Sequence, residues 1–279
     1  YIHTQARVWG CQTRQTMELL LAELASGVMK RNGELKMIKY NNIELDLFSR
    51  GVPDKVMLSL SGGLDSASLL YIICKEYPQM EIIPYTGKDK YAPFDFLSAT
   101  MVIQWMQDKF PDNNIKEHEW FEFDVQDPVQ RKRAEDEWEN EKVLVGGKRV
   151  ERCSTINGLA KILMIREFTH SVWDKHKNPM IVTGMTGNPS VEEMKKHGFY
   201  DVREKRRDDG KVAKEYGFNY QPFVNVDKKF VADIYRSNDI MDLYEVTSSC
   251  IGSAKNTNFH TEPCGVCFWC HEKKWAFEC

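Results

Sequence analysis

The spacing of apolar and polar residues divides the chain into elements, and the clearest of them lies just before residue 60. Val56, Met57, Leu58 and Leu60 form a short apolar run that stops at Ser61-Gly62-Gly63-Leu64-Asp65-Ser66. Leu69, Leu70 and Ile73 follow at helical spacing. This order predicts a buried strand, a tight glycine turn and the start of a helix. Glu81 to Thr86 predicts a second strand, the stretch with Leu97, Met101 and Trp105 a helix, and the alternating segment Lys116 to Phe123 a third strand. Ile156, Leu159, Ala160, Leu163, Met164 and Phe168 mark one apolar helix face, which reads as core packing. Met180 to Thr183 predicts a fourth strand ending at Gly184. Tyr220 to Val224 predicts the last, with Lys228 and Lys229 opening the helix beyond it. Strands and helices alternating at this pitch imply right-handed crossovers and a parallel sheet. A ligand of such a sheet lies across the carboxyl ends of the strands, where strand order reverses.

The remaining segments carry weaker patterns. Thr16 to Met29 predicts a helix ended by Asn32-Gly33, and Met37 to Leu45 a hairpin around Asn41-Asn42, together an added cap or partner surface. Asp127 to Lys142 is rich in both charges and reads as a solvated helix in preference to a binding arm. Val143 to Val150 predicts a small hairpin turning at Gly146-Gly147. Asn188 to Asn219 is long, polar and charged, the composition of a lid, a substrate loop or a disordered surface loop. The expected organisation is an N-terminal extension over 1–52, an α/β domain over 53–245 with insertions near 125–152 and 188–219, and a metal-binding tail over 246–279.

Two adjacent glycines let the backbone approach a ligand closely, and the amides of the helix turn after them have no partners within the helix. The helix dipole and these free N–H groups favour an anion. Ser61 and Ser66 add hydroxyl donors, and Asp65 is placed to hold Mg2+ or to orient the turn. The natural guest is a phosphate. Gly184 should face the same crevice as Gly62 and Gly63.

Composition narrows the class. Of 279 residues, 42% are hydrophobic and 28% charged, as in ordinary globular proteins, which argues against wholesale disorder. A formal charge of −3 supplies no global attraction to nucleic acid, which is therefore not favoured as a partner. No apolar run approaches the ~18–20 residues of a membrane span. No secretory signal is read, and the start at Tyr1 leaves a processed beginning open. Of the eight cysteines, Cys11, Cys74 and Cys153 are scattered and Cys279 is terminal, while Cys250, Cys264, Cys267 and Cys270 stand close together. That distribution suits a reducing cytoplasm better than a disulfide framework.

Cys250-x13-Cys264-x2-Cys267-x2-Cys270 offers four thiolates, enough for a closed tetrahedral zinc site. With no open coordination position, such a Zn2+ is structural, and it contributes on the order of 10 kcal/mol to folding in zinc-finger peptides. Two other occupants fit parts of the pattern. Cys267-Phe268-Trp269-Cys270-His271 matches the CxxCH of haem attachment but leaves Cys250 and Cys264 without a purpose. An iron–sulfur cluster also takes four cysteines. Cys74 reads as a core helix residue, and Cys153 stays open as a reactive thiol.

Ser-Gly-Gly-x-Asp-Ser after a first strand resembles the PP-loop of the ATP pyrophosphatase (adenylating) superfamily, and lacks the Gly-Lys-Ser/Thr of a Walker A loop. The resemblance implies an adenine nucleotide alpha hydrolase-like, Rossmann-like fold. The loop of that family grips the β,γ-pyrophosphate of ATP while an acceptor attacks the α-phosphate. Together with the tail motifs Thr247-Ser248-Ser249-Cys250 and Glu262-Pro263-Cys264-Gly265-Val266-Cys267-Phe268-Trp269-Cys270, the loop resembles the 7-cyano-7-deazaguanine synthases over about residues 56–276. Ile181-Val182-Thr183-Gly184 is similar to their fourth strand, and Gln221-Pro222-Phe223 with Lys228 to their late strand and phosphate-touching lysine. Departures are visible: Ser154-Thr155-Ile156-Asn157 stands where that family has Gly-Arg-Asn, and Asn188-Pro189-Ser190 replaces its acidic, aromatic substrate segment.

The resemblance implies a carbon–nitrogen ligase that adenylates 7-carboxy-7-deazaguanine or a close analogue and uses ammonia to make the nitrile, releasing AMP and pyrophosphate. Its implied cofactors are ATP, Mg2+ and Zn2+. Asp65 and Lys228 are the implied catalytic residues. Ser61, Gly62, Gly63, Leu64, Asp65, Ser66, Thr86, Gly184 and Lys228 are the implied nucleotide contacts. Cys250, Cys264, Cys267 and Cys270 are the implied metal ligands. The partners are the deazapurine carboxylate and ammonia, with a homodimer compatible. One alternative is a related enzyme acting on another acceptor, a tRNA base or an amine joined to the carboxylate. Another is a non-catalytic nucleotide-sensing or nucleic-acid-binding module built on the tail.

Overall fold

A computed structural model describes residues 37–40, 43–48, 51–91, 93–138, 143–145, 148–150, 155–199, 214–216, 219–252, 254–258 and 262–278. The expected helix at Thr16 to Met29, Cys11, Cys153 and Cys279 lie outside them, as does most of the insertion between 200 and 218.

Strands β1 (Met37–Tyr40) and β2 (Ile43–Asp46) form the expected antiparallel hairpin, pairing Tyr40 with Ile43. The central sheet begins with β3 (Lys55–Ser59), followed by α1 (Leu64–Glu76), β4 (Glu81–Asp89), α2 (Phe94–Lys109) and β5 (Glu119–Phe123). Next come α3 (Pro128–Glu137), the β6 (Val143–Val145) and β7 (Lys148–Val150) hairpin, α4 (Ile156–Lys175), β8 (Met180–Thr183) and α5 (Val191–Lys196). The chain continues with β9 (Lys214–Tyr216), β10 (Asn219–Gln221), α6 (Lys228–Ser237), α7 (Met241–Val246) and α8 (Phe268–Phe277). The six-stranded sheet runs in the order β5-β4-β3-β8-β10-β9. β5, β4, β3, β8 and β10 are parallel, and β9 closes the edge antiparallel to β10. Strand order therefore reverses between β3 and β8, and the ends of these two strands carry Ser61–Ser66 and Gly184.

The third strand is shorter than its alternation predicts. Its start, near Ile115, makes only an isolated bridge to Ile82, and pairing becomes continuous at Glu119. Leu47, Phe48, Val56, Leu58, Ile82 and Val182 share one core with α1, α2 and α6–α8, whereas Met57, Ile83 and Ile181 face α4 through Val172. Helices on both faces account for the near-continuous apolar character of β3. The apolar stripe of α4 packs with Phe123 and Ala134 in a smaller core. Helix α3 is mostly exposed, as its charge predicts, and opens on an Asp127 cap that accepts from the Val129 and Gln130 amides.

The hairpin is more than a covering. Ile38 and Tyr40 are buried in the main core, the Tyr40 ring meets Phe230 edge-on at 5.8 Å, and Asn238 Nδ2 donates to Tyr40 Oη at 3.0 Å. Among the described residues no helix is long and apolar enough to cross a membrane.

Candidate active site

The turn after β3 is built as its sequence suggests. Gly62 has φ +70°, and a Cβ there would lie 2.4 Å from the Ala99 amide nitrogen of α2, so both conformation and space demand glycine. Gly63 caps α1 without any side-chain hydrogen bond, which leaves the first-turn amides of α1 open to a ligand. Ser66 Oγ donates to the Gly63 carbonyl at 3.1 Å and lies 3.3 Å from Ser61 Oγ, bracing the turn across its mouth. Leu64 is fully buried, so its side chain anchors the helix and only its backbone faces a ligand.

Gly184 comes from the other side of the strand-order reversal. A Cβ on it would stand 2.4 Å from the Asp65 carbonyl oxygen, so the end of β8 presses on the first turn of α1. Two residues on, the buried Thr186 donates from Oγ1 to Asp65 Oδ2 at 2.9 Å. Thr86, at the equivalent height on β4, is buried and donates to the Leu60 carbonyl at 2.5 Å. Its one hydroxyl proton being spent there, His118 Nε2, 2.8 Å away, must be the donor to Thr86 Oγ1. Burial pushes His118 down to about 4, which keeps the ring neutral with its proton on Nε2. Thr86 thus steadies the chain entering the turn.

Lys228 is brought to the same place, but beneath the turn. Its ammonium lies 3.4 Å from Asp65 Oδ1 and 2.8 Å from Glu272 Oε2, with 2% of the side chain exposed. Glu272 is fully buried on α8. Thr186, His118 and Glu272 carry no signal in the sequence: Glu272 stands in the polar run His271-Glu272-Lys273-Lys274 of Phe268–Phe277, and only its burial sets it apart.

The four cysteines converge. Their sulfurs all lie within 4.8 Å of one another, with Cys267 and Cys270 3.5 Å apart and Cys264 and Cys270 4.0 Å apart. Four thiolates around a single ion at ~2.3 Å give an S···S edge of about 3.8 Å, so this donor set fits one tetrahedral metal ion. A multi-iron cluster spreads its thiolates over several irons and sets them farther apart. Cys250 Sγ accepts from the Gly252 and Cys264 amides at 3.2 Å. For Cys264 burial acts upward, but hydrogen bonds from the Val266 and Cys267 amides and the neighbouring thiols outweigh it and bring the thiol to about 7. Cys74, by contrast, is buried in α1 and raised by that burial to about 12, an inert core thiol.

This cysteine segment is fastened to the turn. The Ser248 amide donates to the Gly62 carbonyl at 3.0 Å, and Ser249 Oγ lies next to Gly63. Between the segment and α2 opens a cavity of about 1200 Å3 lined by Phe96, Leu97, Met101 and Trp269, and by Ser248 and Cys270. It is mostly apolar, and Ser98 and Ser249 on its wall lie against Gly62 and Gly63, so it can hold a small molecule beside the turn. The start of the insertion packs on α8: Phe199 meets Phe268 edge-on at 5.2 Å, and His271 Nδ1 lies 3.0 Å from the His197 carbonyl.

No protein-family model and no curated protein sequence matches the chain. Solved structures do. The chain is similar to the U34-tRNA thiolase NcsA from Methanococcus maripaludis with its 4Fe-4S cluster, at 16% identity and TM-score 0.35, over 93% of this chain and 71% of that one. It is similar to an NH3-dependent NAD synthetase from Campylobacter jejuni at 13% identity and TM-score 0.36, covering 72% of each chain. It is also similar to NMN synthetase from Francisella tularensis at 12% identity and TM-score 0.39, over 81% of this chain and 85% of that one. Scores this low leave the functional reading to rest on the residues of this chain.

Proposed function

We propose that the chain is an ATP-dependent, adenylating carbon–nitrogen ligase of the PP-loop type, acting on 7-carboxy-7-deazaguanine or a close analogue. One observation carries the reading. An uncapped helix N-terminus, reached through Gly62 at positive φ, sits at the reversal of a parallel sheet and adjoins a large aromatic-lined cavity.

In this reading the amides of Gly62 to Ser66 and the Ser61 hydroxyl hold the β,γ-pyrophosphate, and the acceptor lies in the cavity. Its carboxylate oxygen attacks the α-phosphorus, the bond to the β-phosphate oxygen breaks, and pyrophosphate leaves into the amide cradle. Ammonia then adds to the acyl carbon and AMP departs, giving the amide with loss of a proton. A second activation, on the amide oxygen, lets the nitrile form as a second AMP leaves and the nitrogen gives up its protons. Mg2+, when bound, neutralises charge on the leaving pyrophosphate. Asp65, in the first turn of α1, would hold that ion or orient the turn, and Lys228 lies 3.4 Å from its Oδ1. No side-chain nucleophile is needed, because alignment and charge stabilisation supply the rate. Cys250, Cys264, Cys267 and Cys270 hold one structural metal ion, for which Zn2+ is the best fit to the thiolate spacing. Work in a reducing cytoplasm, alone or as a homodimer, is consistent with this chemistry.

Incubation with ATP, Mg2+, ammonia and 7-carboxy-7-deazaguanine, followed by mass spectrometry, tests the assignment. A nitrile or amide product with AMP and pyrophosphate supports it. Release of ADP and orthophosphate overturns the adenylation chemistry, and AMP formation only with another acceptor overturns the substrate.

A further inference from the structure

Three hydroxyls on the wall of the cavity make no hydrogen bond with a described residue: Ser98 on α2, and Ser248 and Ser249 on the cysteine segment. Their neighbours behave differently. Thr100 Oγ1, two residues beyond Ser98, donates back to the Phe96 carbonyl at 2.9 Å, and Thr247 Oγ1 donates to the Tyr244 carbonyl at 2.8 Å. Such back-bonding is the usual outlet for a hydroxyl on a helix. Ser98 does not use it, although the residue is only 4% exposed. A hydroxyl enclosed without a partner costs free energy, and a ligand that accepts its proton removes that cost.

Two of the three serines set their side chains against the glycine pair. A Cβ on Gly62 would lie 2.4 Å from Ser98 Cβ, and one on Gly63 would lie 3.4 Å from Ser249 Oγ. Helix α2 and the cysteine segment therefore each bring one hydroxyl to the place where the cavity meets the turn. Much of the remaining wall is apolar, with Phe96, Leu97, Met101 and Trp269. Donors gathered beside the turn and apolar surface elsewhere suit a flat, apolar-bodied molecule that carries a hydrogen-bond acceptor on its edge.

We propose that Ser98 and Ser249 bind the acceptor: their hydroxyls donate to one oxygen of its carboxylate and leave the other oxygen to attack the α-phosphorus. The inference rests on the adenylating reading above and adds to it the residues that recognise the reacting group. Neutral donors suit this task. They orient the carboxylate, and hydrogen bonds to an ionised group are the stronger kind, yet the negative charge that makes the attacking oxygen nucleophilic is not cancelled by a cation.

The test uses the full chain, with metal content at the cysteines measured first. Pyrophosphate release is followed against 7-carboxy-7-deazaguanine concentration at saturating ATP, and binding of the uncleavable α,β-methylene-ATP is followed by calorimetry. Ser98→Ala and Ser249→Ala are each expected to raise the acceptor KM about tenfold, with affinity for the ATP analogue within about twofold of the unmodified chain. 7-Deazaguanine, which lacks the carboxylate, is expected to inhibit the unmodified and variant chains equally. Ser249→Thr keeps a hydroxyl and is expected to return KM to within about threefold. Thr100→Val, on the same wall but with its proton already spent, is expected to leave KM unchanged. Should either alanine variant not fold, the other, on a different element, decides. An unchanged acceptor KM in the folded variants overturns the proposal, as does an equal loss in ATP-analogue binding or in Thr100→Val. If the unmodified chain turns this acceptor over and the variants match it, this inference alone falls. If the unmodified chain releases no pyrophosphate with this acceptor, the substrate reading fails and takes the inference with it.

Discussion

The Ser248 amide donates to the Gly62 carbonyl at 3.0 Å, so the backbone leading to the first metal-type cysteine is hydrogen-bonded to the glycine turn itself. The two sequence motifs, almost two hundred residues apart, form one piece of structure. Stripping metal from the cysteines should therefore loosen the turn. Chelation, or Cys264→Ser, is expected to lower nucleotide affinity at least tenfold and the melting temperature by several degrees, read by calorimetry beside metal analysis. Metal-free protein with unchanged nucleotide binding would show that the two are mechanically separate.

Gly62→Ala meets both a positive φ and the Ala99 backbone 2.4 Å away. Strain of this kind costs about 1–3 kcal/mol, before any clash is relieved by shifting α2. The expected result is a protein that unfolds earlier in urea and binds nucleotide weakly. Gly63→Ala, where a Cβ would meet nothing nearer than 3.4 Å, should be the milder change of the pair.

Asp65→Ala or Ser61→Ala should abolish AMP formation while leaving the metal content of the cysteines intact, because neither side chain touches a sulfur. Product analysis and metal analysis on the same preparation check both halves. Full activity in both variants would place the nucleotide elsewhere.

His118 supplies a pH dependence. Its folded value of about 4 lies below the ordinary 6.5, so the folded protein favours the neutral ring. Below 6.5 the unfolded chain binds a proton that the folded one refuses, so stability is complete above that pH and falls from there down to about 4. Since the ring is partly open to solvent, the loss is on the order of 1 kcal/mol. Urea midpoints measured from pH 7 to 4.5 should show it, and His118→Asn should flatten that part of the curve.

The turn that follows the β1–β2 hairpin gives a stability test. Phe48 is 1% exposed, stacks beside Tyr220 at 6.5 Å and meets Tyr77 edge-on at 5.2 Å. Phe48→Ala is expected to cost about 3–5 kcal/mol, read as a shift of the urea midpoint with an unchanged slope. A cost below 1 kcal/mol would mean that this segment is an independent attachment.

What the sequence determines by itself is the local part. Apolar runs of strand length, helical stripes, paired glycines and CxxC intervals are short-range patterns, and each reports a nearby conformation or a ligand type. From them follow the parallel sheet, the turn at Gly62-Gly63, the convergence of Cys264, Cys267 and Cys270, and the core role of Cys74. The tertiary structure decides what depends on which distant groups meet. Lys228 reads in sequence as a cation for phosphate, yet α8 brings Glu272 against it and turns the lysine inward. Phe48 and Tyr40 read as part of a covering, yet their rings fill space left by Tyr220 and Phe230. Ser248 reads as a neighbour of a cysteine, yet its amide completes the glycine turn. Burial and pairing between remote residues leave no periodic trace along the chain, because a single contact repeats nowhere; only the packing of the finished layers sets which charge is solvated and which is enclosed.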